Sequence, residues 1–414
     1  MNCEIITIGD ELLIGQVVDT NSAWMARKLN ESGISITRIT TVQDQTGKII
    51  EAVDQARRDA DIVLMTGGLG PTRDDLTKEA LCTYFNSALK EDPQIVESLT
   101  AYFTSRGREL TETNRKQAEV PVKCTPIYNN HGTAPGMWFE DQGQIFVSMP
   151  GVPYEMMAMM EDYIIPEVNK RFSLPRVFHS TLLTVGVGES YLSDLIRSWE
   201  LSLPEFIKLA YLPSLGSVRL RLSCYDSDPQ RENLILKETG VLAEIVKPYL
   251  FTKGDISPEV VIGKMLRERH QTLAVAESCT GGFISHQVTS VPGCSEYYIG
   301  SSVSYDNEVK TRFLGVDVKV IEEKGAVSEE VAVAMAKGVK EKLGSTWAIS
   351  TTGIAGPGGG TAEKPVGTVW IGIAGPDLAY AKMFRFGSNR LRNIQNASLF
   401  AFNELRKSMD GIRD

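Results

Sequence analysis

A chain of 414 residues is too long for one ordinary hydrophobic core, so two or three domains are expected. Its apolar fraction of 42% and charged fraction of 23% are those of a soluble globular protein. A net charge of −9 speaks against a nucleic-acid protein whose affinity rests on overall positive charge. The six cysteines have no CxxC spacing and the four histidines are too few for a His-rich metal site, which points to reduced thiols in a cytosol. No apolar run reaches membrane-spanning length and Met1–Glu4 lacks the character of a signal peptide, so a cytoplasmic protein with no membrane partner is expected.

The start of the chain alternates. Glu4–Ile8 reads as a buried strand, Asn21–Glu31 as a helix, Ile34–Val42 as a strand, Lys48–Arg57 as a helix and Ile62–Met65 as another strand. This order predicts a doubly wound, largely parallel sheet, which binds ligands beyond the carboxyl ends of its strands. Two Gly-rich segments follow strands there: Gly9–Gly15, and the run that holds Gly67, Gly68, Gly70 and Thr72. Asp10, Asp44, Asp74, Asp75 and Glu79 lie near the same edge, where carboxylates could hold one or two divalent cations. Asp10 and Asp19 read equally as turn residues, and Asp74 as a helix N-cap. The P-loop and dinucleotide fingerprints are absent.

The pattern breaks near 170. Residues 177–255 offer two strands, Ser180–Val185 and Val218–Cys224, and two helices, Ser190–Glu200 and Glu232–Val246, which is a small α+β module. Lys253–Pro258 then supplies a turn, an N-cap serine and a first-turn proline. An α/β alternation resumes, with helices at 258–269, 282–290 and 329–343 and a closing one from about 390, and strands at 272–276, 297–305, 347–351, 366–374 and 379–386. The expected fold is two α/β domains, 1–170 and 256–414, joined by an α+β module at 171–255.

In the last domain Ala276–Gly282 makes a strand end, a tight turn and a helix start, with Ser278, Cys279 and Thr280 crowded onto the turn. Ser278 and Ser295 are candidate nucleophiles, Lys310 the candidate base, and Tyr305 a proton relay or an orienting group for the lysine. Main-chain N–H groups of Thr280, Gly281 and Gly282 are expected to stabilise an oxyanion. The loop carrying Gly353, Ala355, Gly356 and Gly359 offers unencumbered amides for a phosphate or ribose, and Arg390 could pair with a phosphate. Taken singly, Ser278 is equally an N-cap, Tyr305 a strand-end aromatic and Lys310 a solvated amine.

Several separated blocks carry a resemblance to a known family. Ala276–Gly282, Val303–Tyr305 with Asn307 and Lys310, Gly325–Ser328, Gly353–Pro357 and Glu363–Trp370 resemble the CinA C-terminal family. That resemblance implies nicotinamide-nucleotide amidohydrolase activity: nicotinamide mononucleotide (NMN) is hydrolysed to nicotinate mononucleotide and ammonia, with no metal. Its serine–lysine chemistry would fall on Ser278, Ser295, Tyr305 and Lys310, while Cys294 departs from the family's Gly-Ser-Ser pattern. Gly9–Leu13, Asp19–Asn21, Thr66–Asp75, Gly132–Gly136 and Met149–Pro153 are similar to the molybdopterin-binding, MoaB/MogA-like domain that opens full-length CinA proteins. This implies a divalent metal (Mg, Mn or Co) acting in ADP-ribose pyrophosphate cleavage. Asp10, Asp44, Asp74, Asp75 and Glu79 become the metal candidates, and Asn130, Thr133 and Gly136 ligand-loop candidates. The resemblance also implies a KH-like middle module and a homodimer. Gly186-Val-Gly-Glu-Ser190 lacks the Gly-x-x-Gly spacing of a nucleic-acid clamp, so nucleic-acid binding is not expected. Two alternatives stay open: a competence or DNA-damage adaptor with inactive sites, and an N-terminal domain that binds a molybdopterin precursor.

Overall fold

The apolar runs that open the chain become strands buried on both faces, as parallel strands under helices must be. The computed structural model describes residues 1–412. Its first unit (Met1–Phe178 with Tyr225–Pro229) carries β1 (Asn2–Ile8), β2 (Ser35–Val42), β3 (Ile62–Thr66), β4 (Leu89–Glu91), β5 (Glu119–Pro121), β6 (Thr125–Ile127), β7 (Gly136–Asp141) and β8 (Gln144–Met149). Six of these form one sheet in the order β2-β1-β3-β8-β7-β6, while β4 pairs β5 separately. β2, β1, β3 and β8 are parallel to their neighbours, and β7 and β6 add an antiparallel edge. Helices α1 (Thr20–Glu31), α2 (Thr46–Ala56), α3 (Thr77–Tyr84) and α4 (Pro153–Met159) each begin just past a strand of that sheet or its following loop. Two cores result. Met25 and Leu29 pack with Ile5, Leu64 and Val147, whereas Ile49 and Val53 pack with Ile6, Val63 and Phe146. Successive residues of each strand thus feed opposite layers, which is the period of two that defines a strand.

The second unit holds two sheets. β9 (Phe178–Val185), β10 (Lys208–Ser214), β11 (Ser217–Cys224) and β12 (Leu250–Lys253) form a four-stranded sheet in the order β10-β11-β9-β12, accompanied by α5 (Glu189–Glu200) and α6 (Pro229–Ile245). β10 and β12 are absent from the sequence reading. β10 is an edge strand carrying Pro213, which a sheet tolerates only at an edge, so its composition argues against a strand.

β13 (Leu273–Glu277), β14 (Tyr298–Val303), β15 (Trp347–Gly353), β16 (Thr368–Ala374) and β17 (Ala379–Arg385) form the other sheet, in the order β14-β13-β15-β16-β17. β14, β13 and β15 run parallel and β16 and β17 antiparallel. Six helices flank it: α7 (Pro258–Glu268), α8 (Phe283–Thr289), α9 (Asn307–Arg312), α10 (Val318–Lys324), α11 (Glu329–Leu343) and α12 (Arg390–Met409). One core joins the two sheets, because Leu183, Val185 and Phe251 of the small module share it with Ile262, Leu266, Phe402 and Leu405. Among the described residues no helix is long and apolar enough to cross a membrane, and no disulfide joins two cysteines.

The shared core has a measurable consequence. Leu183 is 2% exposed, so Leu183→Ala should cost about 2–5 kcal/mol. Hydrogen exchange should then show protection falling in β13 together with β9. Unchanged protection in β13 would mean that the small module folds by itself.

Candidate functional site

The chemistry of the second unit lies past the carboxyl ends of β13 and β14. β13 ends on Glu277, which is fully buried but well supplied with donors. Its carboxylate accepts from the N–H groups of Gly282 at 2.9 Å, Ile284 at 3.1 Å and Ser285 at 2.9 Å, and from the Ser285 hydroxyl. A buried carboxylate is tolerated only with such partners, and here it also satisfies the open first turn of α8. The intervening loop must double back tightly. Gly281 and Gly282 permit this at φ of 63° and 98°. Ser278 rides the loop, its own N–H donating to the Thr351 carbonyl at 3.0 Å, and the Thr280 and Thr351 hydroxyls bond each other at 2.7 Å.

Ser278 lines a cavity of about 190 Å³ together with Cys279, Tyr305, Asn307, Lys310, Thr352, Gly353, Ala355 and Arg390. Lys310 arrives there on α9, a six-residue helix that the sequence reading passes over. Asp306 starts it by accepting from the Glu308 N–H at 2.7 Å. One turn on, Lys310 faces inward at 1% exposure, and its Nζ donates to the Tyr305 carbonyl at 2.9 Å. Burial holds this amine below the ordinary lysine value, with Asp306 pulling the other way.

The Tyr305 side chain does something else. It is 59% exposed, and its hydroxyl accepts from Arg390 Nη2 at 3.1 Å, while Arg390 Nη1 donates to the Gly356 carbonyl at 2.8 Å. The main chain of Tyr305 therefore orients the lysine, and its phenol orients the arginine. No hydrogen bond joins Ser278 to Lys310 among the described residues, although both line one cavity. Cys279 is a rival nucleophile by position only. Burial pushes its thiol up to about 12, so it stays protonated and unreactive at neutral pH.

The expected oxyanion donors need revision. The Gly281 N–H is spent on the Ser278 carbonyl and the Gly282 N–H on Glu277. Among the described residues, the N–H groups of Cys279 and Thr280 are the ones of this loop left without a main-chain or side-chain acceptor. In the Gly-rich loop, Gly353 and Ala355 line the cavity, Gly356 holds Arg390, and Gly359 is exposed and outside the lining. Asn393, unmarked by any sequence pattern, clamps that loop by donating to the carbonyls of Ala355 at 2.9 Å and Gly387 at 2.8 Å.

Ser295 does not join the group. It is exposed in the turn before β14, whereas Ser278 and Lys310 follow the opposite ends of parallel β13 and β14. Six strand residues separate the two ends, about 20 Å at a rise of about 3.3 Å each.

The first unit opens a cleft of about 580 Å³ beyond the carboxyl ends of its parallel strands. Gly67, Gly68, Gly70 and Thr133 line it, as do Asp44, Asp74 and Asp75. Asp10 contributes its N–H to Asp44 Oδ2 at 3.0 Å, and its exposed side chain is outside the lining. Glu79 is exposed on α3, and neither it nor Thr72, Asn130 and Gly136 lines the cleft.

Several carboxylates are already engaged. Asp75 accepts from the N–H groups of Gly70 at 2.8 Å and Thr72 at 2.9 Å, and Asp19 caps α1 through the Ser22 N–H at 2.9 Å. Burial raises the Asp44 carboxyl above its ordinary value, and Glu11, Asp10 and Asp75 add to the rise. Among the described residues no three His, Cys, Asp or Glu side chains are grouped to hold a metal by themselves. Glu11, Asn21, Gln117 and Glu155 also line the cleft and escape the sequence reading. Asn21 carries a signal in the Asp19-Thr-Asn21 block, whereas Gln117 and Glu155 carry none.

Comparisons with known proteins agree at both ends. The family model described as "CinA C-terminal domain" matches residues 256–409, and the one described as "Probable molybdopterin binding domain" matches 4–170. A CinA-like protein of Cytophaga hutchinsonii is 41% identical over 411 residues, covering 99% of this chain and 98% of its own. A CinA-like protein of Salinibacter ruber is 41% identical over 410 residues, covering 99% and 100%. The crystal structure of the protein CinA from Thermoplasma acidophilum is 34% identical, covers 39% of this chain and 94% of its own, and has a TM-score of 0.37. With relatives at this identity along almost its whole length and both domain models in order, the chain belongs to the CinA family, a molybdopterin-binding-like domain standing ahead of a CinA C-terminal domain.

Proposed function

We propose that the second unit hydrolyses the carboxamide of NMN to nicotinate mononucleotide and ammonia, and that the first unit cleaves the pyrophosphate of ADP-ribose with a divalent cation. The observation that carries the first reading is a serine and a buried amine lining one small cavity whose lining also holds the Arg390 guanidinium and no carboxylate. About 190 Å³ is below the several hundred Å³ that enclose a drug-sized ligand, so the cavity takes one ring and leaves a sugar phosphate outside. Arg390 stands at that mouth and suits the phosphate.

In this mechanism the Lys310 amine takes the Ser278 proton as Oγ attacks the carboxamide carbon. The Ser278–Lys310 contact forms when substrate fills the cavity, as catalytic hydrogen bonds commonly tighten on binding. The oxyanion meets the N–H groups of Cys279 and Thr280. The protonated amine then returns its proton to departing ammonia, and water releases the acyl group from Ser278.

The cleft of the first unit is lined by Glu11, Asp19, Asp44, Asp74, Asp75 and Glu155, with no Lys, Arg or His. Such a wall repels a pyrophosphate unless a cation bridges them. The donors suit an ion held by one or two carboxylates, Asp44 and Asp74 foremost, and by phosphate oxygens, rather than a cage of protein ligands. When bound, the cation neutralises charge and activates water. A second reading, in which this cleft binds a molybdopterin precursor, is favoured by the family match over 4–170. Calorimetry with that ligand against ADP-ribose separates the two. The chain is further read as a homodimer, supported by the edge strand β14, where Ile299 and Val303 stand exposed.

Ser278→Ala or Lys310→Ala should lower ammonia release from NMN by at least about 10³-fold and leave ADP-ribose cleavage unchanged. Ser295→Ala should stay within about twofold of wild type. A Ser295→Ala loss as deep as that of Ser278→Ala would sink the assignment. Because the active amine is the neutral one and its pKa is lowered, deamidation should rise with pH and level off below the ordinary lysine value of 10.5. Chelation with EDTA should stop ADP-ribose cleavage and spare deamidation. An EDTA-sensitive deamidase would contradict catalysis by Ser278 and Lys310 without a metal.

A further inference from the structure

The six carboxylates of the first-unit cleft differ in what their oxygens are doing. Asp19 caps α1 and Asp75 is held by the loop amides of Gly70 and Thr72. Asp44 accepts from the Asp10 N–H, while Glu11 and Asp74 are exposed at the rim. Glu155 is unlike all of them. It lies in the first turn of α4 at 7% exposure, and its Oε2 accepts from Asn129 Nδ2 at 2.6 Å.

The Asn129 amide is itself fixed, since Nδ2 also donates to the Ala134 carbonyl at 2.9 Å and Oδ1 accepts from the His131 N–H at 3.0 Å. Gly132 completes the seat. A Cβ there would collide with both carboxylate oxygens of Glu155, so any side chain at 132 would expel the carboxylate. The loop block containing residues 129–134 is thus shaped around Glu155, and Asn129 rather than Asn130 is its working asparagine.

Glu155 and Asp44 are held by different loops. Asp44 lies against the turn after β3, its Oδ1 3.3 Å from where a Cβ of Gly68 would stand. Glu155 is instead seated by Asn129 and Gly132. The Gly67–Gly70 turn lies between them and also lines the cleft.

We propose that Glu155 is the proton-accepting catalytic residue of this cleft, taking a proton from the water that attacks a phosphorus of the bound pyrophosphate. The inference rests on the pyrophosphatase reading and deepens it. The water oxygen forms a bond to phosphorus as the bond from phosphorus to the bridging oxygen breaks. The electron pair leaves on that oxygen as a phosphate monoester, whose charge a bound divalent cation would offset, and the water proton passes to the Glu155 carboxylate and then to solvent. Burial lifts the Glu155 carboxyl above its ordinary value, against Asn129, Tyr154 and His131, which makes it a better base than a free carboxylate.

The test uses the full chain, ADP-ribose and a divalent cation. Glu155→Gln keeps an acceptor for Asn129 and should lower kcat about 10²–10⁴-fold while KM stays within about threefold. Its thermal melt and its NMN deamidation should match wild type. Glu155→Ala should be equally slow and should regain at least about tenfold on addition of formate, which a packing role cannot produce. A Glu155→Gln enzyme with more than half the wild-type kcat, or a Glu155→Ala enzyme untouched by formate, overturns the assignment while leaving the pyrophosphatase reading intact. A wild-type chain that cleaves no ADP-ribose with any divalent cation removes both.

Discussion

The carboxylate of Glu277 is the constraint on which the second-unit site depends. Buried at the end of β13, it would be costly unless donors surrounded it, and three main-chain N–H groups and one hydroxyl do so. Charge-assisted bonds of this kind are each worth about 1.5–3 kcal/mol, not additively. They draw the start of α8 toward the strand end and leave residues 278–281 a path with little choice. Ser278 is then fixed by both neighbours, β15 holding its N–H through Thr351 and Glu277 holding the loop's far end. A loop residue acquires the precision of a strand in this way, which the proposed role of Ser278 as nucleophile requires.

The main chain orders the site at two further points. The Tyr305 carbonyl anchors the Lys310 amine and the Gly356 carbonyl anchors Arg390, so both basic side chains are oriented by groups that no side-chain substitution removes. Their electrostatic roles nevertheless differ. Lys310 is 1% exposed and burial favours its neutral form, whereas Arg390 is exposed and can meet a phosphate without leaving water. On the proposed reading, one cavity holds a base and a fixed cation, distinguished by burial.

The sequence is most legible where a local rule suffices. Alternating apolar runs mark the parallel strands of both α/β domains, and clustered Gly, Ser and Thr mark the strand-end loops. Failure comes where the decisive partner is distant in the chain. Nothing near Tyr305 indicates that its hydroxyl meets Arg390, 85 residues on. The exclusion of Ser295 is a matter of topology: parallel pairing of β13 with β14 sends the two serines to opposite sheet ends, although only 17 positions separate their numbers, 278 and 295. Short α9 is hidden because six residues hold too little periodicity to detect, yet it aims Lys310. Asn130 and Asn129 are indistinguishable by composition, and only the positions of Ala134 and Glu155 choose between them.

The two sites sit on similar parallel sheets but present opposite charge. Lys310 and Arg390 without carboxylates line one, and carboxylates without Lys, Arg or His line the other. A cavity of the first kind can hold an anionic group unaided, and its own amine can serve as base. If a cleft of the second kind takes a phosphate chain, as proposed, a bridging cation would have to offset the repulsion. On the proposed reading, metal dependence in one unit and independence in the other rest on the lining residues themselves, before any substrate is named.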